Sequence, residues 1–415
     1  MSAAAAVEVK GWCPGVLRPM QSGDGLIARV RPWCGAFGIA EAAALADAAE
    51  RFGNGHIDLT RRANLQIRGL DEARLPALQA ALAGLDLIDG DVSAEAARNI
   101  MVAPLAGIDP AEQLDVRPLA RALARGLAAE GALHDLPSKF GFLVDGGGMV
   151  SIAGERADIL LCAAGRSIAV GLDAAAGTDW IGATPADAAP DAAVDTALAA
   201  ARAFLAVRRG ERRLRDLGGA AAARLRATLA SRLESLHGAP PSATTRPLGM
   251  LDLGAGRVAV GIAAAFGRLE APQLRRLVGA AGQAGATDIR LSPWRSVYVA
   301  ARDAGAARRL VETARAIGLI VEADDPVLRI DACPGAPACL SSSVDTRRAA
   351  RRFATLGFDG SLHVSGCAKG CARSGPADLV LVGDRGRYNV IRNGTARDTP
   401  VRSIGAAEAG DSLDV

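Results

Sequence analysis

Asp331-Ala-Cys333-Pro-Gly-Ala-Pro-Ala-Cys339 and Ser365-Gly-Cys367-Ala-Lys-Gly-Cys371 carry two cysteine pairs, spaced C-x5-C and C-x3-C. Four thiolates in two close pairs are what a metal ion or an iron–sulfur cluster requires. Zinc sites usually space each pair by roughly two to four residues, which the x5 gap fits poorly. Both pairs lie among Gly, Pro, Ala and Ser. Such small residues let the backbone turn tightly and leave its N–H groups available to sulfur. Four buried structural cysteines are the plain alternative, but paired spacing in Gly-rich turns is unusual for core thiols. The spacing predicts a [4Fe–4S] cluster held by Cys333, Cys339, Cys367 and Cys371.

Working outward, Leu328-Arg-Ile-Asp-Ala-Cys333-Pro answers the earlier Asn99-Ile-Met-Val-Ala-Pro. A helix is expected after each, over 118–130 and 346–356. Strands over 138–144, 158–162 and 167–170 then answer strands over 361–364, 378–382 and 387–391. Arg156-Ala-Asp-Ile-Leu-Leu against Pro376-Ala-Asp-Leu-Val-Leu is the closest local echo. A second shared unit precedes each of these segments. Residues 26–30 read as a strand and 40–52 as a helix. Residues 55–60 and 65–69 alternate around Arg61-Arg62-Ala63-Asn64, and 75–85 read as a helix. That β-α-β-β-α order is close to a ferredoxin-like unit. Strand 257–263, helix 273–284, hairpin 288–300 and helix 308–317 repeat it, and Ala265-Phe-Gly repeats Ala36-Phe-Gly. The shared order argues for duplication over chance likeness between Ala-rich helices.

The predicted fold class is therefore α+β, in the order A-B-A′-B′. Half A spans 1–95, domain B 96–183, a helical connector and Pro/Ser/Thr linker 184–247, half A′ 248–324 and the cluster-binding domain B′ 325–415. In the connector, Arg208, Arg209, Arg212, Arg213, Arg215, Arg224 and Arg226 are expected to form a solvated helix face.

The 415 residues are half apolar, 3% aromatic and carry a formal net charge of +3. So mild an excess does not imply nucleic acid, and so few aromatics offer no base-stacking platform. No apolar run of membrane-spanning length is free of charge. Residues 1–10 lack a signal-peptide layout. Seven cysteines, an odd number, suit a reducing cytoplasm better than a disulfide framework. A cytoplasmic protein without membrane or nucleic-acid partners is expected, with Cys13 and Cys34 as packing residues.

Along Thr60-Arg-Arg62-Ala-Asn64-Leu-Gln66-Ile-Arg68, side chains of one parity share one face, so Arg62, Asn64, Gln66 and Arg68 alternate with Ala63, Leu65 and Ile67. Such a face is either an exposed edge or a clamp for carboxylates, to which arginine forks are suited. Arg98 and Lys139 add cations at two expected strand starts. The histidines, His56, His134, His237 and His363, show no metal-ligand spacing. His363, four residues before Cys367, is expected to be a satisfied packing residue. Gly146-Gly-Gly148 is a turn without a nucleotide fingerprint, so electrons are expected from another protein.

These residues resemble the superfamily of siroheme sulfite and nitrite reductases and, within it, the precorrin-3B synthase family. The resemblance covers roughly residues 11–105, 135–172 and 250–395. In the siroheme reductases C-x5-C and C-x3-C hold a [4Fe–4S] cluster. Their Thr-x-Arg-x-x-x-Gln hairpin matches Thr60-Arg-Arg62-Ala-Asn-Leu-Gln66, and an Arg-Asn pair matches Arg98-Asn99. Those reductases typically carry Lys-x-Lys where this chain has Lys139-Phe140-Gly141. They usually read Cys-Pro-Asn-x-Cys where it has Cys367-Ala-Lys-Gly-Cys371, and they are longer. Cys13-Pro-Gly-Val-Leu-Arg-Pro-Met20 and His363-Val-Ser-Gly-Cys-Ala-Lys-Gly-Cys371 look instead like the synthase family.

The resemblance implies a duplicated, pseudo-twofold nitrite/sulfite reductase-like architecture: ferredoxin-like half-domains plus α/β cluster-binding and substrate domains. It implies a tetrapyrrole cavity lined by Arg62, Asn64, Gln66, Arg68, Arg98 and Lys139, with Cys371 a bridge to a second iron or to siroheme. For the synthase family it implies a mononuclear non-haem iron beside the [4Fe–4S] cluster. The implied reaction is oxidation of precorrin-3A by O2 in aerobic cobalamin biosynthesis. C20 is hydroxylated, the ring-A acetate closes a γ-lactone, and the second oxygen atom leaves as water. Electrons would come from NADH through a separate donor protein. The alternative is a siroheme-dependent sulfite or nitrite reductase. A non-catalytic Fe–S carrier would need no cavity of this kind.

Overall fold

Two five-stranded antiparallel sheets are each completed by a strand from the other half of the chain. The first runs Met20–Ser22, Gly25–Val30, Leu65–Leu70, His56–Leu59 and then Arg268–Glu270. The second runs Gly249–Asp252, Val258–Ala263, Ser296–Ala301, Asp288–Leu291 and then Ala36–Gly38. The exchanged strands pair antiparallel, Arg268 beside Asp58 and Phe37 beside Ile289. The repeated Ala-Phe-Gly thus marks both crossovers. The first copy is itself the strand, while Ala265–Gly267 is a 3-10 turn just ahead of its strand. The computed structural model describes residues 12–185, 189–237, 242 and 246–410.

Helices Ile39–Phe52 and Ala271–Gln283 follow the exchanged strands and pack against each other. Their apolar residues recur at helical spacing, so Leu45, Ala46 and Ala49 meet the stripe of Leu274, Leu277, Val278 and Ala281 in a core common to both halves. Burying each such leucine is worth about 1.5–3 kcal/mol.

The two remaining α+β domains repeat each other strand for strand. Ile100–Val102, Phe142–Asp145 and Ile159–Ala164 pair in parallel, followed antiparallel by Ser167–Ala174 and Gly177–Ala183. Ile330–Ala332, Leu362–Ser365 and Ala377–Asp384 are likewise parallel, with Arg387–Gly394 and Arg402–Gly405 antiparallel. Helices Arg117–Ala129 and Thr346–Thr355 supply the crossovers that parallel neighbours need. The strand expected over 138–144 starts only at Phe142, which leaves Ser138 and Lys139 in a loop.

The segment after Ala183 is more than a connector. Helix Ala189–Val207 buries Ala193, Ala197, Ala200 and Phe204 against Arg117–Ala129, forming a layer of the first α+β domain. Arg213, expected on a solvated helix face, has extended backbone (φ −142°, ψ 153°) and is buried. Most of the Pro/Ser/Thr linker, and the N-terminal stretch read for a signal, lie outside the described residues. Among the described residues no helix is long and apolar enough to cross a membrane.

Candidate functional site

A cavity of about 400 Å³ lies where the first sheet meets both α+β domains. Four residues make a row along its sheet. Arg29, Gln66, Asp58 and Arg268 are cross-strand partners in turn on four adjacent strands, so their side chains stand on one face. Only Gln66 was expected. Arg29 was legible, since it alternates with buried Ala28 and Val30. Arg268 was not, because it arrives on the exchanged strand.

Asp58 is the electrostatic centre of this row. Its Oδ1 accepts from Arg268 Nε (2.7 Å) and Arg347 Nη2 (3.0 Å), its Oδ2 from Arg68 Nη1 (3.3 Å) and Arg268 Nη2 (3.3 Å). Burial pushes the carboxyl pKa up, but Arg347, Arg268 and Arg68 outweigh it and hold it well below the ordinary carboxylate range. The three arginines come from the domain that carries the four paired cysteines, the second half and the first half. One carboxylate therefore ties three parts of the molecule together.

The expected site residues divide. Arg62, Gln66, Arg68 and Lys139 line the cavity. Arg62 donates to the Arg156 carbonyl (3.1 Å), and burial with the nearby Arg213 pulls its pKa down to about 10. Arg68 lines the cavity with its donors engaged. It forks on Asp24 (2.7 and 2.9 Å) and reaches the Ala338 carbonyl (3.0 Å), so it braces the loop between Cys333 and Cys339.

Asn64 and Arg98 are corrections, since neither lines the cavity. Ala63 is left-handed (φ 50°), which breaks the alternation before Leu65. Asn64 is buried and closes the turn: its N–H donates to the Thr60 hydroxyl (3.1 Å) and its carbonyl accepts from the Thr60 N–H (2.9 Å). Arg98 folds away from the cavity. It forks on Asp89 (2.8 Å twice) and stacks over the Trp33 ring at 3.8 Å. Its neighbour Asn99 lines the cavity instead, with Nδ2 donating to the Phe140 carbonyl (2.8 Å).

Other lining residues escaped the sequence reading. Arg213 sits beside Asp158 (3.3 Å) and donates to the Lys139 carbonyl. Cys13, expected as packing, stands in the cavity wall. Burial raises its thiol pKa, but Arg29, the Ser138 hydroxyl, Lys139 and Arg31 outweigh that and the net shift is downward. The matching row of the second sheet is Gly261, Tyr298, Arg290 and Ala36. That face is sealed. Arg290 donates to the Ala106 carbonyl (2.7 Å), and Tyr298 is buried among Leu105, Val150 and Leu253.

Cys333 and Cys371 also line the cavity, and none of the four expected ligands is in a disulfide. The Gly366 N–H donates to Cys333 Sγ (3.1 Å). Burial pushes the Cys371 thiol up to about 11; Lys369 opposes this, and Cys333, Cys367 and Cys339 add to it. The four sulfurs thus lie within electrostatic reach of one another. Mutual repulsion among thiolates is what cationic irons would relieve, so the donor set fits a cluster. No group of three or more His, Cys, Asp or Glu among the described residues is disposed to hold a single metal ion. A cube of irons holds its thiolates farther apart than one ion does.

His363 lies under the same loop. A Cβ on Gly370 would meet its Cε1 at 3.6 Å. It is fully buried, as expected, but neither ring nitrogen has a hydrogen-bond partner, so it is not a satisfied packing residue. The whole arrangement can hold several carboxylates against a wall that contains a redox-capable donor set.

Comparison with known proteins adds sequence and fold relatives. The Nitrite/Sulfite reductase ferredoxin-like half domain matches residues 18–85. A precorrin-3B synthase from Sinorhizobium sp is 35% identical over 396 residues, which is 94% of this chain and 84% of that protein. A ferredoxin–nitrite reductase from Synechococcus elongatus is 33% identical over 170 residues, 40% of this chain and 32% of that protein. The structure of the Mycobacterium tuberculosis NirA protein superimposes with a TM-score of 0.73 at 21% identity, covering 94% of this chain and 79% of that one. The shared fold, and a relative matched over nearly the whole chain, make this protein a member of the precorrin-3B synthase family.

Proposed function

We propose that the chain is an oxidoreductase that uses O2 to convert precorrin-3A, hydroxylating C20 and closing a γ-lactone through the ring-A acetate. The observation that carries this reading is a basic cavity with Cys333 and Cys371 in its wall. Arg29, Arg62, Lys139 and Arg213 gather near Cys13, and the repulsion felt by Arg62 is what a bound carboxylate relieves. Gln66, between Arg29 and Asp58, adds an amide donor and acceptor. Asp58 stays anionic and holds Arg68, Arg268 and Arg347 together, of which Arg68 and Arg347 line the cavity beside it.

Cys333, Cys339, Cys367 and Cys371 would hold a [4Fe–4S] cluster, which when bound supplies electrons singly, as triplet O2 requires. A separate NADH-linked donor protein would reload it. The family reading also implies a mononuclear non-haem iron. The described residues hold no ready set of three donors for one, so no residue is assigned to it.

A siroheme-dependent nitrite or sulfite reductase is the second reading, favoured by Cys371 facing the cavity. Gly141 speaks against it. A Cβ there would lie 2.6 Å from Asn99 Nδ2, so the second lysine of a Lys-x-Lys pair does not fit without displacing Asn99. The deciding experiment is aerobic incubation of the reconstituted protein with precorrin-3A, a reductant and isotopically labelled O2. Incorporation of label is expected by mass analysis. An intense, sharp haem-type absorption in the purified protein, with sulfite or nitrite turnover and no label incorporated, would overturn the proposal.

A further inference from the structure

All four expected cluster ligands belong to one domain, yet the last of them is held from outside it. Ala372 follows Cys371 directly, and its carbonyl accepts two guanidinium hydrogen bonds. One comes from Arg61 Nη1 (3.2 Å), the other from Arg295 Nη2 (3.0 Å). Arg61 sits in the turn between strands His56–Leu59 and Leu65–Leu70. Arg295 sits in the matching turn between Asp288–Leu291 and Ser296–Ala301. Both arginines also face Asp331, two residues before Cys333, Arg295 at 3.0 Å and Arg61 at 3.8 Å. Arg373 reaches the same carboxylate at 3.3 Å. Like charges that close would repel, and the shared carboxylate and carbonyl are what keep them together.

The backbone is shaped for this meeting. Arg295 is left-handed (φ 61°), a costly conformation for a long side chain. Gly267, at the crossover into the exchanged strand, leaves the space its side chain uses. A Cβ there would lie 2.7 Å from Arg295 Cδ. A bulkier residue at 267 would push the guanidinium off Ala372.

We propose that Arg61 and Arg295, one from each half of the chain, are positioning residues that fix the place of Cys371 and so close the cysteine quartet around its cluster. This rests on the reading that the quartet binds one. The two hairpin turns act as a clasp. Neither arginine touches a thiol, and each acts through the backbone beside one.

The test uses the full chain, reconstituted with iron and sulfide, without substrate. Its readouts are cluster content, the electron-paramagnetic signal of the reduced protein, and the rate at which an iron chelator bleaches the cluster. Arg61→Ala, Arg295→Lys and Arg295→Ala are compared with Arg329→Ala, which removes an exposed partner of Asp359 in the same domain. Arg61, the more exposed of the pair, is the variant chosen to keep the fold, checked by circular dichroism. Arg61→Ala and Arg295→Ala are expected to bleach about ten-fold faster or more, as for lost outer supports of metal ligands, with altered signals. Arg329→Ala is expected to match wild type. Folded variants that bleach within about two-fold of wild type, with unchanged signals, would overturn the clasp while leaving the cluster standing. A wild-type protein that takes up no iron and sulfide would instead overturn the cluster reading on which the clasp depends.

Discussion

Asp58→Asn takes one negative charge from beneath three guanidiniums. Arg68 keeps its fork on Asp24, so the loss falls on Arg268 and Arg347, which are left facing each other in a buried site. Removing one partner from a buried ion pair costs about 3–5 kcal/mol, and Asp58 is only 6% exposed, so little of that is screened. The assay is urea unfolding followed by tryptophan fluorescence, read at the first transition because the carboxylate joins three parts that need not unfold together. The pH dependence has a definite sign. The folded carboxyl pKa is depressed, so its contribution is fully present above the unfolded value of about 3.9 and fades as pH falls below it. The variant lacks that contribution at every pH. The gap between the proteins should therefore be widest from about pH 5 upward and narrow in acid. A gap under about 1 kcal/mol at pH 7, or one of constant size down to pH 3, would refute the reasoning. Affinity for a polycarboxylate should move the other way, because the cavity gains a net positive charge.

Arg62→Ala and Arg213→Gln should each weaken binding of precorrin-3A or a polycarboxylated porphyrin about ten-fold or more, as charged hydrogen bonds are worth about 1.5–3 kcal/mol. Arg98→Ala should leave that titration unchanged while lowering the melting temperature, since its stack on Trp33 and fork on Asp89 are structural. Iodoacetamide near pH 8 should label Cys13 ahead of Cys34, whose thiol pKa is raised by burial, and a bound polycarboxylate should protect Cys13. Gly141→Ala should displace Asn99 and cost about 1–3 kcal/mol in thermal unfolding, because the new methyl would overlap the Asn99 amide.

Much of this was open to reading in the chain itself. The two halves were legible because alternation and helical spacing recur in the same order, and the gathering of Cys333, Cys339, Cys367 and Cys371 because their pairs sit in two Gly-rich turns of one domain. The strand exchange was not. Three residues, Ala36-Phe-Gly, carry no periodicity, and their partner strand is far away in sequence. Asn64 was misplaced because one left-handed alanine resets the alternation, which no side-chain pattern announces. Arg98 was misplaced because a cation at a strand start can as easily fold back on a local aspartate. Arg213 was hidden in a run of arginines that reads as helix surface, although its own backbone is extended. Cys13 looked like any lone cysteine, because the cations around it come from distant segments.

The exchanged strands have a consequence for how such a site could arise. A closed dimer that trades strands must treat both copies alike, so a change on one sheet appears on its mate. In a single chain the same interlock binds two unequal partners. Arg29, Gln66 and Asp58 stay polar and line a cavity, while their counterparts Gly261, Tyr298 and Arg290 face a filled-in side. Two halves in one chain keep the mutual embrace without the symmetry, so one sheet can carry the cavity while the other buttresses it. A cut through the backbone between the halves should leave two fragments that still hold each other.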